Sequence, residues 1–207
     1  MKRFLKVGLT GGIATGKSTI AALWSARGAV VIESDELARR TLELGTDSYR
    51  EVVQAFGQSI LNNDGTINRT ALGDIVFSDA KKRQILNHIV HPRVRQMWSQ
   101  RLRECAADTG TEVAVVAIPL LYEVGAENEF DQIVAVGCSE TTQRARLVSK
   151  GLTETQVVAR IRAQMPVATK MDRANFVIWN DGSRDVLEQQ TEIILNRIKE
   201  TAHAPQA

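Results

Sequence analysis

The sequence has 207 residues, of which 43% are hydrophobic and 24% are charged. A chain of this length and composition fits one globular domain with insertions better than several independent domains. Its 26 basic and 24 acidic side chains leave a formal net charge of only +2. That balance gives no overall positive field of the kind that marks a nucleic-acid-binding protein, so we expect no nucleic-acid partner.

A reducing cytoplasm is the expected setting. The two cysteines, Cys105 and Cys138, lack the spacing of a metal or redox motif, so we interpret them as buried or inert thiols. The first residues already have the pattern of a strand, without the features of a secretory signal, and no apolar stretch is long enough to span a membrane. We expect a cytoplasmic protein without a membrane partner, acting as a monomer or a small homo-oligomer.

Alternating apolar runs and helical patterns predict an α/β fold. The first strand is predicted at residues 4–10, before a helix with Ile20 and Trp24 on its apolar face. Further strands are predicted from apolar runs at residues 29–32, 113–118, 132–136 and 176–178, with a last helix at about 184–199 and a frayed tail at 201–207. Continuous apolar strands that alternate with helices imply a parallel sheet covered on both faces.

Two helical segments interrupt this pattern. Residues 35–107 show consecutive amphipathic helices without a strand, with a turn at Asp64-Gly65 and Pro92 at the expected first position of a helix. We interpret this segment as an insertion that holds a second substrate. Residues 139–173 form the other segment, in which Thr153 and Gln156 are spaced as a capping box.

The segment 139–173 is also rich in cations, which are Arg144, Arg146, Lys150, Arg160, Arg162 and Lys170. A cationic helical segment downstream of a phosphate-binding motif favours a lid over phosphate groups. The alternative is a solvated charged face, which is the commoner origin of such a pattern.

The phosphate-binding motif is Gly11-Gly12-Ile13-Ala14-Thr15-Gly16-Lys17-Ser18, which matches G-x-x-x-x-G-K-[ST] between a predicted strand and a predicted helix. Its glycines let backbone N–H groups approach phosphate oxygens, and the helix beginning near Lys17 adds the positive end of its dipole. We expect Lys17 to reach the β- and γ-phosphates and Ser18 to ligate Mg²⁺. The predicted nucleotide-binding residues of this segment are Gly11, Gly12, Ala14, Thr15, Gly16, Lys17, Ser18 and Thr19.

Asp35 is the leading candidate for orienting the acceptor of the phosphoryl group. It follows the second predicted strand, and the carboxyl ends of parallel strands face the same crevice as the phosphate loop. Asp35 could accept the proton of the acceptor or belong to the Mg²⁺ shell. Two alternatives stay open from position alone: Ser34 or Asp35 caps the following helix, or Glu33 supplies the carboxylate.

Two further segments have open interpretations. In His91-Pro92-Arg93-Val94-Arg95, a histidine at the start of a helix and arginines on a solvated face are the simpler explanation. The segment 118–123 after the third predicted strand could merely turn the chain. The sequence has no zinc-like cluster and no G-x-S-x-G elbow, which argues against a metalloprotease or other hydrolase.

Several segments together resemble the dephospho-CoA kinase family, whose members catalyse the last step of coenzyme A biosynthesis. They occur in the family order over nearly the whole chain, at residues 9–18, 32–35, 91–92, 119–123, 143–146, 160, 164–165 and 174–180. The resemblance implies a P-loop NTPase fold, with a five-stranded parallel sheet flanked by helices. It implies one kinase domain over residues 1–207, containing a helical acceptor-binding insertion at 35–107 and a helical lid at 139–173.

The resemblance also implies roles for particular residues. Asp35 matches the second acid of the family's Asp-x-Asp segment and would be the catalytic carboxylate. Arg146 would be a lid arginine near the triphosphate, and Asn180 would help to form the adenine pocket. The weaker candidates for the acceptor side are His91, Arg93 and Glu123.

Three residues depart from the family pattern. Glu33 replaces the first Asp of the Asp-x-Asp segment, which keeps the charge on a longer side chain. Ala14 replaces a common loop glycine, and the loop tolerates its methyl group if φ is negative. Lys150 stands where Arg is frequent and cannot form a bidentate fork.

The expected reaction is in-line transfer of the γ-phosphoryl group of ATP to the ribose 3′-hydroxyl of dephospho-CoA, giving CoA and ADP. Asp35 would act as the base, while Lys17, Mg²⁺ and Arg146 would offset the charge of the transferred group. The main alternative is another small-molecule kinase, of the nucleoside monophosphate or shikimate type. A regulatory P-loop ATPase is a more distant alternative, because the guanine-reading Asn-Lys-x-Asp sequence is absent and the charge is balanced.

Overall fold

The computed structural model describes residues 4–203. The strands are β1 (Leu5–Gly11), β2 (Val30–Glu33), β3 (Val113–Ala117), β4 (Gln132–Gly137) and β5 (Phe176–Trp179). The helices are α1 (Lys17–Ser25), α2 (Ser34–Thr41), α3 (Asp47–Phe56), α4 (Arg69–Ser78), α5 (Ala80–Ala107), α6 (Glu140–Val148), α7 (Glu154–Arg162), α8 (Val167–Asp172) and α9 (Arg184–His203). Each predicted strand ends within one residue of an observed one.

The five strands form one parallel sheet in the order β2-β3-β1-β4-β5, which confirms the predicted fold class. In the centre, Leu9 of β1 pairs with Ala117 on one side and with Val134 on the other. The chain leaves β1 toward β2 on one side and later returns to β4 on the other side. The carboxyl end of β1 therefore lies at a topological switch point, which is where open α/β sheets bind their ligands.

The core of the sheet fixes the helix that follows the phosphate loop. Leu5, Val7 and Leu9 of β1 are at most 1% exposed and belong to one apolar cluster with Ile20 and Trp24 of α1. The buried indole of Trp24 also donates a hydrogen bond of 2.9 Å to the Thr191 carbonyl of α9, so its polar atom is satisfied. These contacts hold α1 against the sheet.

Residues Ser34–Gln100 form a separate compact unit, and the rest of the described chain forms the other. The core of the unit Ser34–Gln100 consists of buried apolar residues, which include Val52, Ile60, Leu72, Val76 and Ile89. It is built from helices, as predicted, and an isolated antiparallel bridge joins Leu61 to Ile67 around the turn at Asp64-Gly65. None of the helices within residues 4–203 is long and apolar enough to cross a membrane.

Two predicted helix boundaries are wrong. Pro92 lies inside α5, whereas the sequence predicted that a helix begins there. Proline fits helical φ but removes one backbone hydrogen bond, and the buried side chains of Val90 and Val94 on either side hold the helix together. At the other end of the chain, α9 includes residues 201–203 of the predicted tail, and residues 204–207 lie outside the described part.

Candidate active site

The phosphate loop, residues 11–18, connects the carboxyl end of β1 to α1, which begins at Lys17 as predicted. Gly16 has φ of 101°, in the left-handed region, and a Cβ there would overlap the side-chain amide of Asn180. Both constraints favour glycine. The loop thus presents the amino end of α1, with its positive partial charge, where phosphate oxygens would bind.

Ala14 departs from the expected conformation. The sequence argument required a negative φ, but Ala14 has φ of 60°, in the left-handed region. For a residue with a Cβ this conformation costs about 1–2 kcal/mol. The Arg146 guanidinium donates a hydrogen bond of 3.0 Å to the Ala14 carbonyl, which helps to hold the peptide in this orientation.

We expect Ala14→Gly to raise the free energy of unfolding by about 0.5–1 kcal/mol, because relief of the left-handed strain exceeds the entropy that glycine adds to the unfolded chain. Urea denaturation measures the change. The matched control is Ala22→Gly at an exposed position inside α1, where the same substitution should cost about 1 kcal/mol. Equal losses at the two positions would show that Ala14 is not strained.

Three side chains from outside the loop hold three consecutive loop carbonyls, and we call them the loop clamp: Gln143, Arg146 and Asn180. They donate to the carbonyls of Ile13 at 2.7 Å, Ala14 at 3.0 Å and Thr15 at 2.7 Å, respectively. In a trans peptide the C=O and the following N–H point in opposite directions. The clamp therefore directs the N–H groups of residues 14–16 away from itself, and the Thr15 N–H donates a long hydrogen bond of 3.4 Å to the Gly12 carbonyl.

A fourth side chain, that of Gln164, accepts a hydrogen bond from a backbone N–H of the loop. The Ile13 N–H donates to Gln164 Oε1 at 2.8 Å. Gln164 lies in the connector between α7 and α8, which we define as residues 163–166. The connector is thereby attached to the phosphate loop.

Lys17 is only 8% exposed, and its Nζ lies 3.9 Å from Glu33 Oε2 at the end of β2. The phosphate oxygens of a bound nucleotide would compete with Glu33 for the Lys17 Nζ. Of the two carboxylates proposed from sequence, Glu33 is thus placed beside the loop lysine. Asp35 belongs to the other compact unit.

The phosphate site offers oxygen donors of the kind that Mg²⁺ prefers. Within residues 4–203, no group of three or more His, Cys, Asp and Glu side chains could hold a metal ion by itself. Mg²⁺ in kinases is commonly bound by one or two protein oxygens together with substrate phosphates. The exposed hydroxyl of Ser18, in the first turn of α1, and the carboxylate of Glu33 fit that mode.

Arg146 and Asn180 both lie against the phosphate loop. Besides its bond to Ala14, Arg146 donates to the Asn180 carbonyl at 2.9 Å, so two of its five N–H donors serve carbonyl groups. Asn180 is 7% exposed, and its backbone N–H donates to the Gly137 carbonyl of β4 at 2.8 Å. Their expected roles toward the triphosphate and the adenine stay predictions.

Two of the predicted lid cations, Arg144 and Lys170, form ion pairs with carboxylates of the protein. Arg144 forms ion pairs with Glu140 and Glu154, and the hydrogen bond to Glu140 raises the pKa of the guanidinium. Lys170 is completely buried, which a cationic lid surface does not predict. The capping box of Thr153 and Gln156 at the start of α7 is confirmed.

The candidates for the acceptor side are placed as follows. Glu123 follows β3 and accepts hydrogen bonds at Oε1 from Lys170 and from the Met165 N–H. In the unit Ser34–Gln100, Arg93 pairs with Glu51 at 2.5 Å, and burial lowers the pKa of His91, which therefore favours its neutral form.

Asp35 has an exposed side chain and lies in the first turn of α2, which begins at Ser34. It is therefore inside the helix and does not cap it. Among the described residues of its own unit, no group forms a hydrogen bond or an ion pair with its carboxylate, so that carboxylate is available to a ligand.

Sequence reasoning did not assign roles to three residues that shape the site: Gln143, Gln164 and Pro119. Gln143 is 4% exposed, and its partner Ile13 is 130 positions away in the chain. Gln143 and Gln164 lie within segments that carried the family resemblance, and this was the only signal in the sequence. Neither periodicity nor spacing distinguishes them from surface glutamines.

One protein family matches most of this chain. The family model for dephospho-CoA kinase matches residues 5–185. A dephospho-CoA kinase from Geobacillus kaustophilus is 44% identical over 194 residues, which cover 93% of this chain and 96% of that protein.

Two solved structures are also similar. One, described as TT1252 from Thermus thermophilus, has a TM-score of 0.77 and 33% identity, covering 95% of this chain and 99% of that one. Dephospho-CoA kinase from Campylobacter jejuni has a TM-score of 0.68 over 95% of this chain and 98% of that one, and at 23% identity it supports the fold alone. Because the family model and the relative both span most of the sequence, the chain belongs to the dephospho-CoA kinase family.

Proposed function

We propose that this protein transfers the γ-phosphoryl group of ATP to the ribose 3′-hydroxyl of dephospho-CoA, giving CoA and ADP. The observation that carries the proposal is the family match over residues 5–185, which includes the phosphate loop at the switch point of the sheet. This match favours dephospho-CoA over the acceptors of nucleoside monophosphate or shikimate kinases.

On the nucleotide side, the loop N–H groups and the amino end of α1 bind the phosphates, and Lys17 offsets the charge of the transferred group. The loop clamp supports this role because it fixes three loop peptides before the nucleotide arrives. Preorganised donors stabilise developing charge without reorganisation during the reaction. Arg146 contributes through the clamp, and its remaining N–H groups are available to the triphosphate.

On the acceptor side, Asp35 orients the 3′-hydroxyl and takes its proton. Its exposed and unpaired carboxylate supports this assignment, because a base needs a lone pair that no protein donor occupies. Residues 35–107 bind the rest of the acceptor, with His91 and Arg93 as candidate contacts, and Glu123 contributes from the loop after β3. Residues 139–173 act as a lid that excludes water and suppresses hydrolysis of ATP.

Mg²⁺ would be held by the Ser18 hydroxyl and the Asp35 carboxylate, with Glu33 as the alternative, and would neutralise charge on the β- and γ-phosphates. We expect a chelator to abolish turnover and added Mg²⁺ to restore it. Ser18→Ala should raise the half-saturating Mg²⁺ concentration by at least about tenfold, the loss typical of altering a metal site. Ser25→Ala, at the exposed last residue of α1, is the control. An unchanged Mg²⁺ requirement in Ser18→Ala would exclude Ser18 as a ligand.

The test of the proposed function is ADP formation from ATP and Mg²⁺ with dephospho-CoA, compared with adenosine monophosphate, shikimate and no acceptor. The expected result is a rate that depends on dephospho-CoA, with CoA identified as the product by mass spectrometry. A Lys17→Met preparation, purified in the same way, controls for a contaminating kinase. Equal ADP release with all acceptors would refute the proposed acceptor.

A further inference from the structure

Lys170 is a buried charged side chain to which the proposed reaction assigns no role. It lies in α8 and is 0% exposed, and its Nζ lies 2.5 Å from the Pro119 carbonyl and 2.8 Å from Glu123 Oε1. Burial lowers the pKa of Lys170, while the Glu123 carboxylate acts in the opposite direction. Burying an ammonium costs several kcal/mol unless partners compensate, so the two oxygens hold this side chain in one place.

Both partners of Lys170 lead to the phosphate loop. The Pro119 carbonyl also accepts a hydrogen bond of 3.3 Å from Thr10 Oγ1, and Thr10 stands directly before the loop. Glu123 Oε1 also accepts the Met165 N–H at 2.8 Å, in the connector between α7 and α8. The neighbouring Gln164 holds the Ile13 N–H of the loop.

The path from Lys170 to Ile13 therefore has three steps. Lys170 contacts Glu123 Oε1, the same oxygen accepts the Met165 N–H, and the neighbouring Gln164 accepts the Ile13 N–H. Glu123 Oε1 is the shared acceptor of Lys170 and Met165, so removing the ammonium changes the charge and position of the group that holds the connector. Because Gln164 is part of the connector, its Oε1 atom would then no longer be held at the Ile13 N–H.

We infer that Lys170 is a positioning residue for nucleotide binding, which acts through Glu123 and Gln164 on the Ile13 peptide of the phosphate loop. The inference rests on the proposed function only in taking the loop as the ATP site. A role in stability alone is the competing explanation. Measuring ATP affinity separates the positioning role from the role in stability alone. If the ion pair of Lys170 were purely structural, its loss would change the unfolding transition, and its effect on ATP affinity would not depend on Gln164.

The experiment is a double-mutant cycle with Lys170→Met, Gln164→Ala and the double variant, with the dissociation constant of Mg²⁺·ATP measured by calorimetry without any acceptor. We expect each single variant to bind ATP about tenfold more weakly, and the double variant to be little weaker than either, because coupled positions are not additive. Lys199→Met is the matched control. Lys199 lies in α9, and its Nζ also donates to a backbone carbonyl, that of Arg27.

Additive losses, or unchanged ATP affinity in folded Lys170→Met, would overturn the inference. If Lys170→Met does not fold, Glu123→Gln replaces it in the same cycle under the same criteria. That variant keeps an oxygen for the Met165 N–H but removes the charge that fixes Lys170. Since no acceptor is present, a wrong assignment of dephospho-CoA would leave this result unaffected, whereas failure of all variants and the wild type to bind ATP would refute the proposed nucleotide site.

Discussion

Lys17→Met is expected to lower kcat/KM for ATP by about 10³-fold, at least as much as the loss of one preorganised donor in other active sites. The Lys17 side chain is 8% exposed, so its charge acts on the phosphates through a poorly screened environment. Methionine has a similar length and shape but no charge. Steady-state kinetics with varied ATP, together with the dissociation constant of ATP, measure the effect on chemistry and on binding separately.

Lys81→Met is the control, because Lys81 is exposed in α5 and carries the same charge and side-chain length. It should leave kcat/KM within about twofold of the wild type, as expected for a surface substitution. Thermal unfolding confirms that both variants are folded. Retention of the wild-type kcat/KM by folded Lys17→Met would exclude the phosphate loop as the site of phosphoryl transfer.

The phosphate loop could be predicted because its chemistry is encoded locally. Eight consecutive residues define it, and the strand before it and the helix after it are visible in the apolar pattern. The same holds for the parallel sheet, since five apolar runs separated by helices leave few other topologies. The strand order β2-β3-β1-β4-β5 then places the loop at the switch point.

The support of the loop could not be predicted in this way. Gln143, Arg146 and Asn180 contact residues that are 130, 132 and 165 positions away in the chain. A local sequence pattern does not predict hydrogen-bond partners that are so far apart in the chain. Helical periodicity marks apolar faces, so it identifies Val157 as buried but gives no reason for Gln143 to be buried.

At two positions the tertiary packing outweighs a local preference. Lys170 belongs to a cation-rich segment that usually indicates a solvated face, yet Glu123 and Pro119, brought close by the fold, allow it to be buried. Ala14 has a side chain that disfavours positive φ, yet Arg146 holds its carbonyl where the loop needs it. In both cases the deviation lies next to the proposed nucleotide site, where strain and buried charge are commonly retained for function.

Asp35→Asn is expected to lower kcat by about 10²–10⁴-fold while leaving the ATP dissociation constant nearly unchanged, because an amide of the same size cannot take the hydroxyl proton. Glu36→Gln is the matched control. Glu36 is the next residue of α2, is also exposed and also lies in the first turn, so it tests the loss of one negative charge at nearly the same place. Rapid-quench measurement of CoA formation in a single turnover isolates the chemical step.

Glu33→Gln separates the two carboxylates that the sequence left open. Glu33 lies 3.9 Å from the Lys17 ammonium, so its neutralisation should change ATP binding more than the chemical step. If Asp35→Asn retained wild-type kcat while Glu33→Gln lost it, Glu33 would be the base, and the exposed carboxylate in α2 would have no part in the transfer. If instead Asp35→Asn lost kcat and Glu33→Gln retained it, Asp35 would be the base. Glu33 would then only balance the charge of Lys17.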